Sequence, residues 1–155
     1  MTTTTAVTKA LDKLGIPYHL HIHENPLRSL VQAARERGID PTQIVRTLLF
    51  RCEHESFVLV LMAGSKKVNW LKLRRYLGVS RITTATSEQV LDITGYVPGA
   101  VSPFGLPSPL RILADQGISA HEEISLGAGI PNAGILIRRD DLLKVLEVEM
   151  GEFGG

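Results

Sequence analysis

The stretch "GYVPGAVSPFG", residues 95–105, contains three glycines and two prolines around a small apolar run. Helix and strand interiors disfavour this composition, and an ordinary surface loop would be more polar. Glycine lets the backbone approach a ligand closely, whereas proline fixes φ and removes an N–H donor. We therefore expect a rigid loop that presents backbone groups from Gly99 to Pro103, which can hold an ester or an attacking water. A structural crossover between Gly95 and Leu110 is the alternative that composition alone leaves open.

Length and composition restrict the class of protein. The 155 residues are enough for one domain with a core, and 44% hydrophobic and 21% charged residues are ordinary for a globular protein. No apolar run is long enough to span a membrane, the N-terminus lacks a secretory signal pattern, and the single Cys52 excludes an internal disulfide framework. We expect one cytoplasmic domain over residues 1–150, with no membrane partner, followed by a flexible tail at 151–155.

Helical and strand patterns are mixed along the chain. "IVRTLLFRC" and "SFVLVLMAG" are predicted strands, joined by a hairpin at "EHES". In the helical segment "NWLKLRRYLG", Trp70, Leu73 and Leu77 share a stripe that should face the core. Asp140 is the expected N-cap of a last helix. Because helices and strands do not alternate strictly, the pattern favours an α+β sheet domain over a doubly wound parallel one.

Charge is unevenly distributed although the net charge is only +1. Residues 56–87 contain no Asp or Glu, and the segment has six cationic side chains: Lys66, Lys67, Lys72, Arg74, Arg75 and Arg81. Clustered cations attract phosphates whatever the nucleotide sequence, so this segment predicts contact with a polyanion. A solvated helix face would give the same pattern.

Three histidines alternate in the predicted strand "IPYHLHIH", so that His19, His21 and His23 share one face. Such a face can bind a metal ion, but same-face side chains on one strand lie roughly 6.5 to 7 Å apart, which favours an exposed polar face instead. The sequence contains neither a G-x-S-x-G elbow nor a P-loop. Further metal ligands would have to come from Glu24, Cys52, His54 or His121.

The loop and three other stretches together resemble one family. "TGYVPGAVSPFG" is similar to the glycine–proline loop of the YbaK/prolyl-tRNA-synthetase-associated family, the trans-editing aminoacyl-tRNA deacylases. "LDKLGIPYHLHIHE", "AARERGIDPTQIVRTLLFR" and "SLGAGIPNAGILIRRDDLLKVL" resemble other family segments in the same order. The similarity runs from about Val7 to Leu146. It implies one α+β domain whose mixed, partly barrel-like sheet is flanked by helices.

The resemblance also implies an activity. Members of the family hydrolyse the ester of a mischarged transfer RNA, and the expected substrate is a proline transfer RNA carrying alanine or cysteine. The pocket would lie between the strand at Arg46 and the "GAVSP" loop, and we expect neither a cofactor nor a metal. The expected partners are aminoacyl-tRNA and an aminoacyl-tRNA synthetase.

Site residues follow from the resemblance position by position. Arg46 stands where the family usually has lysine, and arginine cannot act as a base near neutral pH, so its implied role is to orient the terminal ribose or phosphate. The implied catalytic residues are Arg46, Gly99, Ala100 and Val101. The implied substrate-binding residues are Thr47, Ser102, Pro103, Gly127, Gly129 and His23. The implied RNA-binding residues are Lys66, Lys67, Lys72, Arg74 and Arg75.

Two alternatives remain open at this point. The first is a non-catalytic module of the same fold that binds transfer RNA or a synthetase, with Arg46 marking lost chemistry. The second is a metal-dependent hydrolase that uses His19, His21 and His23.

Overall fold

The computed structural model describes residues 3–155, so the first two residues of the expected domain lie outside it. Within this range the chain forms five α-helices and eight β-strands. The helices are α1 (Ala6–Leu14), α2 (Leu30–Arg37), α3 (Trp70–Leu77), α4 (Ser87–Thr94) and α5 (Arg139–Val145). The strands are β1 (His19–Ile22), β2 (Val45–Cys52), β3 (Phe57–Ala63), β4 (Ile82–Thr84), β5 (Arg111–Asp115), β6 (Glu123–Gly127), β7 (Ala133–Arg138) and β8 (Val148–Gly151).

The strands form two sheets that meet at β2. One sheet has the order β1-β7-β6 and is antiparallel, and the other has the order β4-β2-β3-β5-β8 and is mixed, because β3 pairs parallel to β5 and β5 parallel to β8. A bridge between Ile44 and Ser125 connects the start of β2 to β6. The predicted α+β class with a mixed sheet is confirmed.

The two faces of the five-stranded sheet bury separate cores. On one face, alternate residues of β2 and β3, such as Leu49 and Leu61, pack against β6 and β7. On the opposite face, Phe50 and Met62 pack beneath α3 and contact Leu73. Since neighbouring residues of a strand point to opposite faces, Arg46 lies on the α3 side of β2 and Thr47 on the other side.

Capping residues and glycines mark the ends of several helices. Ser29 is the N-cap of α2 and accepts a hydrogen bond from the Gln32 N–H, and Thr86 and Gln89 form a capping box at the start of α4. Gly38 ends α2 in the left-handed conformation, at φ 73°. These caps satisfy the backbone N–H and C=O groups that a helix leaves unpaired at its ends.

Three expectations for individual residues were wrong. Trp70 is 40% exposed instead of facing the core, whereas Leu73 of the same stripe is fully buried. Asp140 lies inside the first turn of α5, whose N-cap residue is Arg138 and makes no side-chain cap bond. His23 was expected on an exposed face but is buried, because the chain leaves β1 at Ile22 and turns beneath α2.

The segment 151–155, for which we expected flexibility, packs against the domain in the structure. Phe153 is 1% exposed and meets the Tyr76 ring edge to face, with 5.1 Å between ring centroids. The buried carboxylate of Asp115 accepts the N–H groups of Phe153 and Gly154 at 2.8 and 3.1 Å. None of the helices in residues 3–155 is long and apolar enough to span a bilayer.

Candidate active site

The site begins where one edge of β2 lacks a neighbouring strand. β4 pairs with β2 only over Phe50 to Cys52, and one further bond joins the Ala85 N–H to the Leu49 carbonyl. The bridge from Ile44 to β6 lies at the opposite end of β2. In an antiparallel strand the N–H and C=O of a residue point to the same edge, and alternate residues point the same way. Because the Leu49 carbonyl points to the β4 edge, the backbone N–H and C=O of Thr47 point into this gap.

Two cavities open along the gap, one of about 440 Å³ and one of about 250 Å³. They lie on either side of a shared wall made of Arg46, Thr47, Leu48, Gly99 and Val101. The larger cavity is otherwise lined mainly by apolar groups, together with Lys67 and Ser87: Leu49, Phe50, Val68, Trp70, Thr84, Ala85, Val90 and Pro98. The smaller one is completed by Arg37, Ile44, Val45, Leu126 and Gly127. No carboxylate or imidazole among the described residues lines either cavity.

The Thr47 hydroxyl lies on the shared wall without a hydrogen-bond partner. Its Oγ1 atom is buried, and it is the one buried side-chain polar atom in residues 3–155 that finds no partner within the protein. A buried hydroxyl without a partner costs roughly 1 to 3 kcal/mol. Such a group at the boundary of two cavities is therefore placed to be satisfied by a bound molecule.

Arg46 is held by the loop that follows β3. Its Nε donates to the carbonyl oxygen of Gly64 at 2.7 Å, and its Nη2 donates to the carbonyl oxygen of Lys66. Burial lowers the pKa of the Arg46 guanidinium, but arginine stays protonated in proteins. The side chain thus fixes the loop that carries Lys67 into the larger cavity, and its remaining N–H groups are available to a ligand.

The glycine–proline loop is braced from inside. The buried Tyr96 hydroxyl donates to the carbonyl oxygen of Phe104 at 2.6 Å, which joins the two ends of the loop, and burial raises the pKa of Tyr96 to about 12. The N–H of Ala100 donates to the Val97 carbonyl at 3.1 Å, and the Ala100 carbonyl accepts the Gly129 N–H at 3.0 Å. One backbone bond within the loop, one bond from Gly129 and the Tyr96 hydroxyl therefore hold the loop in this conformation.

The loop residues divide into two groups. Gly99, at φ 87°, and Val101 line both cavities. Ala100, Ser102 and Pro103 are buried and line neither cavity; the Ser102 hydroxyl accepts the Phe104 N–H at 3.1 Å. The structure therefore brings Gly99 and Val101 next to Arg46 and Thr47, whereas the other three residues support the loop.

The two glycines after β6 also have different positions. Gly127 lines the smaller cavity, and a Cβ there would overlap the carbonyl oxygen of Val101, so the loop can approach β6 only at a glycine. Gly129 lines neither cavity and has φ 85°, and a Cβ there would meet the Tyr96 ring at 3.0 Å and Val7 at 3.1 Å. Gly127 belongs to the wall and Gly129 to its support.

His23 lies behind the smaller cavity and reaches it through a residue that the sequence did not single out, Arg37. The Arg37 Nε donates to His23 Nε2 at 3.0 Å, its Nη1 donates to the Ser125 hydroxyl at 2.9 Å, and His23 Nδ1 lies 2.8 Å from a Glu36 oxygen. Burial lowers the pKa of Arg37. Arg37 was missed because "AARERG" has the charge pattern of a solvated helix end.

These contacts argue against the three-histidine metal site. The donation from Arg37 leaves His23 Nε2 as an acceptor, so Nδ1 has the proton and donates it to Glu36. Neither nitrogen of His23 is then free for a metal. Cys52 packs against the core beneath α3, and burial raises the pKa of its thiol. Within residues 3–155 no group of three or more His, Cys, Asp or Glu side chains is arranged to hold a metal ion.

The five cations of the predicted RNA-binding segment have different surroundings. Lys66 Nζ lies 3.4 Å from Asp115, and Lys72 Nζ donates to the Gly154 carbonyl at 3.1 Å. Lys67 is exposed and lines the larger cavity. Arg74 and Arg75 are in the last turn of α3 and, like Lys67, form no ion pair within the described chain. Lys67 is thus the cation of this set closest to the cavity.

Comparison with known proteins agrees with this geometry. A model of the aminoacyl-tRNA editing domain family matches residues 24–145. The proline–tRNA ligase of Bacillus licheniformis is 33% identical over 107 residues, which are 69% of this chain and 18% of that enzyme. The corresponding ligase of Streptococcus mutans is 33% identical over 136 residues, which are 82% of this chain and 22% of that enzyme. The chain thus spans about a fifth of the length of these ligases.

A solved structure shows the same fold at full length. The crystal structure of a protein described as a proposed trans-editing enzyme for prolyl-tRNA synthetase superposes with a TM-score of 0.89 at 26% identity, covering 97% of this chain and 95% of that one. The two chains therefore share one fold.

Proposed function

The chain belongs to the aminoacyl-tRNA editing domain family, and on that premise we propose that it is an aminoacyl-tRNA deacylase, which hydrolyses the ester of a mischarged transfer RNA. The proposed substrate is a proline transfer RNA carrying alanine or cysteine. Similarity to proline–tRNA ligases and to a proposed trans-editing enzyme for prolyl-tRNA synthetase supports this substrate class. The apolar walls of the smaller cavity, with Leu126 and Val101, suit a small side chain.

The observation that supports the proposal most directly is the unpartnered Thr47 hydroxyl between two cavities. An aminoacyl ester has two parts, a small amino acid and a bulky ribose, which meet at the carbonyl group. Two cavities of unequal size that meet at one hydroxyl and one free strand edge match this shape. The Thr47 N–H and hydroxyl are donors for the ester oxygen, and the Thr47 carbonyl is an acceptor for the amino group.

The reaction is addition of water to the ester carbonyl carbon. The carbonyl oxygen becomes an oxyanion, the bond from carbon to the ribose oxygen then breaks, and the ribose oxygen takes the proton that the water gives up. Donors at Thr47 would stabilise the oxyanion in an apolar setting, where hydrogen bonds to developing charge are strongest. Since no carboxylate or imidazole of residues 3–155 lines the cavities, we propose that the neighbouring ribose hydroxyl of the substrate transfers the proton.

Arg46 is proposed to act as a positioning residue and a substrate contact. Two of its nitrogen atoms donate to the 64–66 loop, so loss of the side chain would release Lys67 from the cavity wall. Because Arg46 lines both cavities, its remaining N–H groups can bind a ribose or phosphate oxygen of the substrate. Gly99 and Val101 complete the wall. Gly127 has no side chain to obstruct the loop where it approaches β6. The geometry of the loop is supported by Ala100, Ser102, Pro103 and Gly129.

The test is deacylation of a panel of mischarged transfer RNAs that begins with alanyl- and cysteinyl-tRNA for proline. Wild type is measured beside Arg46→Ala, Arg46→Lys and the control Arg28→Ala, whose exposed side chain lies outside the predicted RNA-binding segment and lines neither cavity. We expect cleavage by wild type and by the control, and a large loss in Arg46→Ala. Lysine has one side-chain nitrogen atom and cannot reproduce the two bonds that arginine makes from separate nitrogens to the Gly64 and Lys66 carbonyls. Deacylation by Arg46→Lys should therefore be impaired as well. No cleavage by wild type across the panel, with transfer RNA still bound, would indicate the non-catalytic binding module instead.

A further inference from the structure

We propose that Trp70 is the stacking platform for the terminal base of the transfer RNA acceptor end, an inference that rests on the proposed deacylase function. Trp70 begins α3 and lines the larger cavity, yet the side chain is 40% exposed. A partly exposed tryptophan gives up part of the free energy that its complete burial would contribute. By contrast Leu73, on the same helix, is fully buried in the core beneath α3. Trp70 therefore lies at the edge of this core, where it lines the cavity and keeps part of its surface exposed.

The indole is held in place by one edge-to-face contact. The Trp70 and Phe50 rings have centroids 5.3 Å apart and lie at 89° to each other. A perpendicular neighbour can cover at most one face of the indole, so at least one face remains uncovered by Phe50. A positioned aromatic ring that is 40% exposed and has a face that Phe50 does not cover offers a nucleobase a surface for stacking.

The charges beside the ring favour nucleic acid as the occupant. Lys67 and Arg46 are the charged residues that line the same cavity, and both are cations. Arg74 and Arg75 extend the positive charge along α3 and form no ion pair within residues 3–155. Aromatic faces flanked by cations bind single-stranded nucleic acid, because bases stack on the ring while phosphates contact the cations.

The position of the ring agrees with the chemistry deeper in the cavity. The larger cavity runs from Trp70 to Thr47, and its volume of about 440 Å³ lies in the range of small-molecule sites, roughly 300 to 1,000 Å³. With the ester at Thr47, the ribose would occupy this cavity and its base would reach the mouth. Trp70 would then fix the substrate at the end opposite to the reacting bond.

The first measurement uses the fact that Trp70 is the only tryptophan of the chain, so that its fluorescence reports on this site alone. The purified protein is titrated with an uncharged RNA hairpin that ends in the single-stranded sequence CCA, and with the same hairpin lacking the terminal base. We expect saturable quenching by the first RNA and weak or no quenching by the second. Binding of both hairpins is followed in parallel by filter retention. An intact hairpin that binds without quenching would overturn the proposal, because the RNA would then bind without stacking on Trp70.

The second measurement is deacylation by Trp70→Ala, Trp70→Phe and the control Leu71→Ala, whose exposed side chain does not line the cavity. Loss of one stacking contact by alanine substitution corresponds to a rise in KM of about 5- to 150-fold with little change in kcat, and phenylalanine should restore most of it. Thermal melting checks that each variant is folded. If wild type cleaves and Trp70→Ala matches it in KM, the stacking role fails while the deacylase function stands. If wild type cleaves nothing, the function fails, and the fluorescence titration still decides the stacking role.

Discussion

Thr47→Val should make the protein more stable and less active at the same time. Valine has the shape of threonine, so the wall between the two cavities keeps its form while the unpartnered hydroxyl is removed. A buried hydroxyl without a partner costs roughly 1 to 3 kcal/mol, and this cost should be recovered in the variant. In a chain of 155 residues, 1 kcal/mol corresponds to a Tm change of about 2 to 4 °C. The expected rise in Tm is therefore about 2 to 12 °C.

The effect on the reaction has the opposite sign. One hydrogen bond to a neutral group contributes about 0.5 to 1.5 kcal/mol, which corresponds to a loss in kcat/KM of about 2- to 13-fold. The loss would be larger if the hydroxyl donates to the oxyanion of the transition state. Thr47→Ser keeps the hydroxyl and should keep most of the activity.

The assay combines thermal melting without ligand and deacylation on the substrate that wild type cleaves best. Thr84→Val is the matched control: Thr84 lines the same cavity from β4 but is exposed, so its hydroxyl is hydrated and its removal should not raise Tm. A Thr47→Val variant that melts below wild type would show that the hydroxyl has a partner in solution. Unchanged kcat/KM in that variant would refute the role of the hydroxyl at the ester.

Further predictions concern the supports of the site. Asp115→Asn replaces a buried carboxylate that accepts several N–H groups and should lower the free energy of unfolding by about 1.5 to 3 kcal/mol, measured by urea denaturation beside the exposed control Asp92→Asn. Burial raises the pKa of Asp115, but the backbone N–H groups and the nearby lysine outweigh this effect, so the net pKa is lowered. The stabilisation should therefore be complete above the ordinary carboxyl pKa and be lost as pH falls through the lowered pKa. The asparagine variant should not show this loss. Tyr96→Phe leaves a buried carbonyl unpaired and should cost about 1 to 3 kcal/mol in the same assay; no change would mean that the hydroxyl does not brace the loop. His54 and Glu55 both have positive φ, 60° and 57°, so replacing them with Asn and Gly should raise stability by roughly 1 to 2 kcal/mol per residue, and a lower midpoint would contradict the assigned turn.

The sequence predicted the elements of this fold well where a local signal fixes them. Glycines and capping residues mark helix ends because they satisfy groups that the helix itself leaves unpaired, as at Ser29 and Gly38. β8 was missed, since "VEMG" is short, half-exposed and bordered by acids, and it forms only because β5 offers a free parallel edge. Trp70 was misassigned for a related reason: a helical stripe shows which side chains share a face, but not where the core beneath that face ends.

The site was predicted in part, and the limit is physical. Gly99, Val101, Arg46 and Thr47 meet at the cavities, in agreement with the resemblance, which relates positions that lie far apart in the chain. Neither the resemblance nor the composition predicts the unpaired edge of β2, because this edge depends on where β4 ends. The unpartnered hydroxyl of Thr47 likewise becomes visible only in the folded chain.

Arg46 stands where the resemblance implies a lysine, and its role is best understood through backbone carbonyls. Arg46 donates hydrogen bonds to the main-chain oxygens of Gly64 and Lys66. Because every residue has a main-chain oxygen, the sequence does not indicate this pairing. The same loop is held from the other side, where the Asn69 N–H donates to the Phe153 carbonyl at 2.7 Å. Because the loop is fixed at both ends, a lysine ammonium at position 46 is not required to order it. The wider guanidinium can therefore serve the loop and still direct N–H groups at the substrate, which is why loss of the whole side chain should cost activity even though no proton transfer is assigned to it.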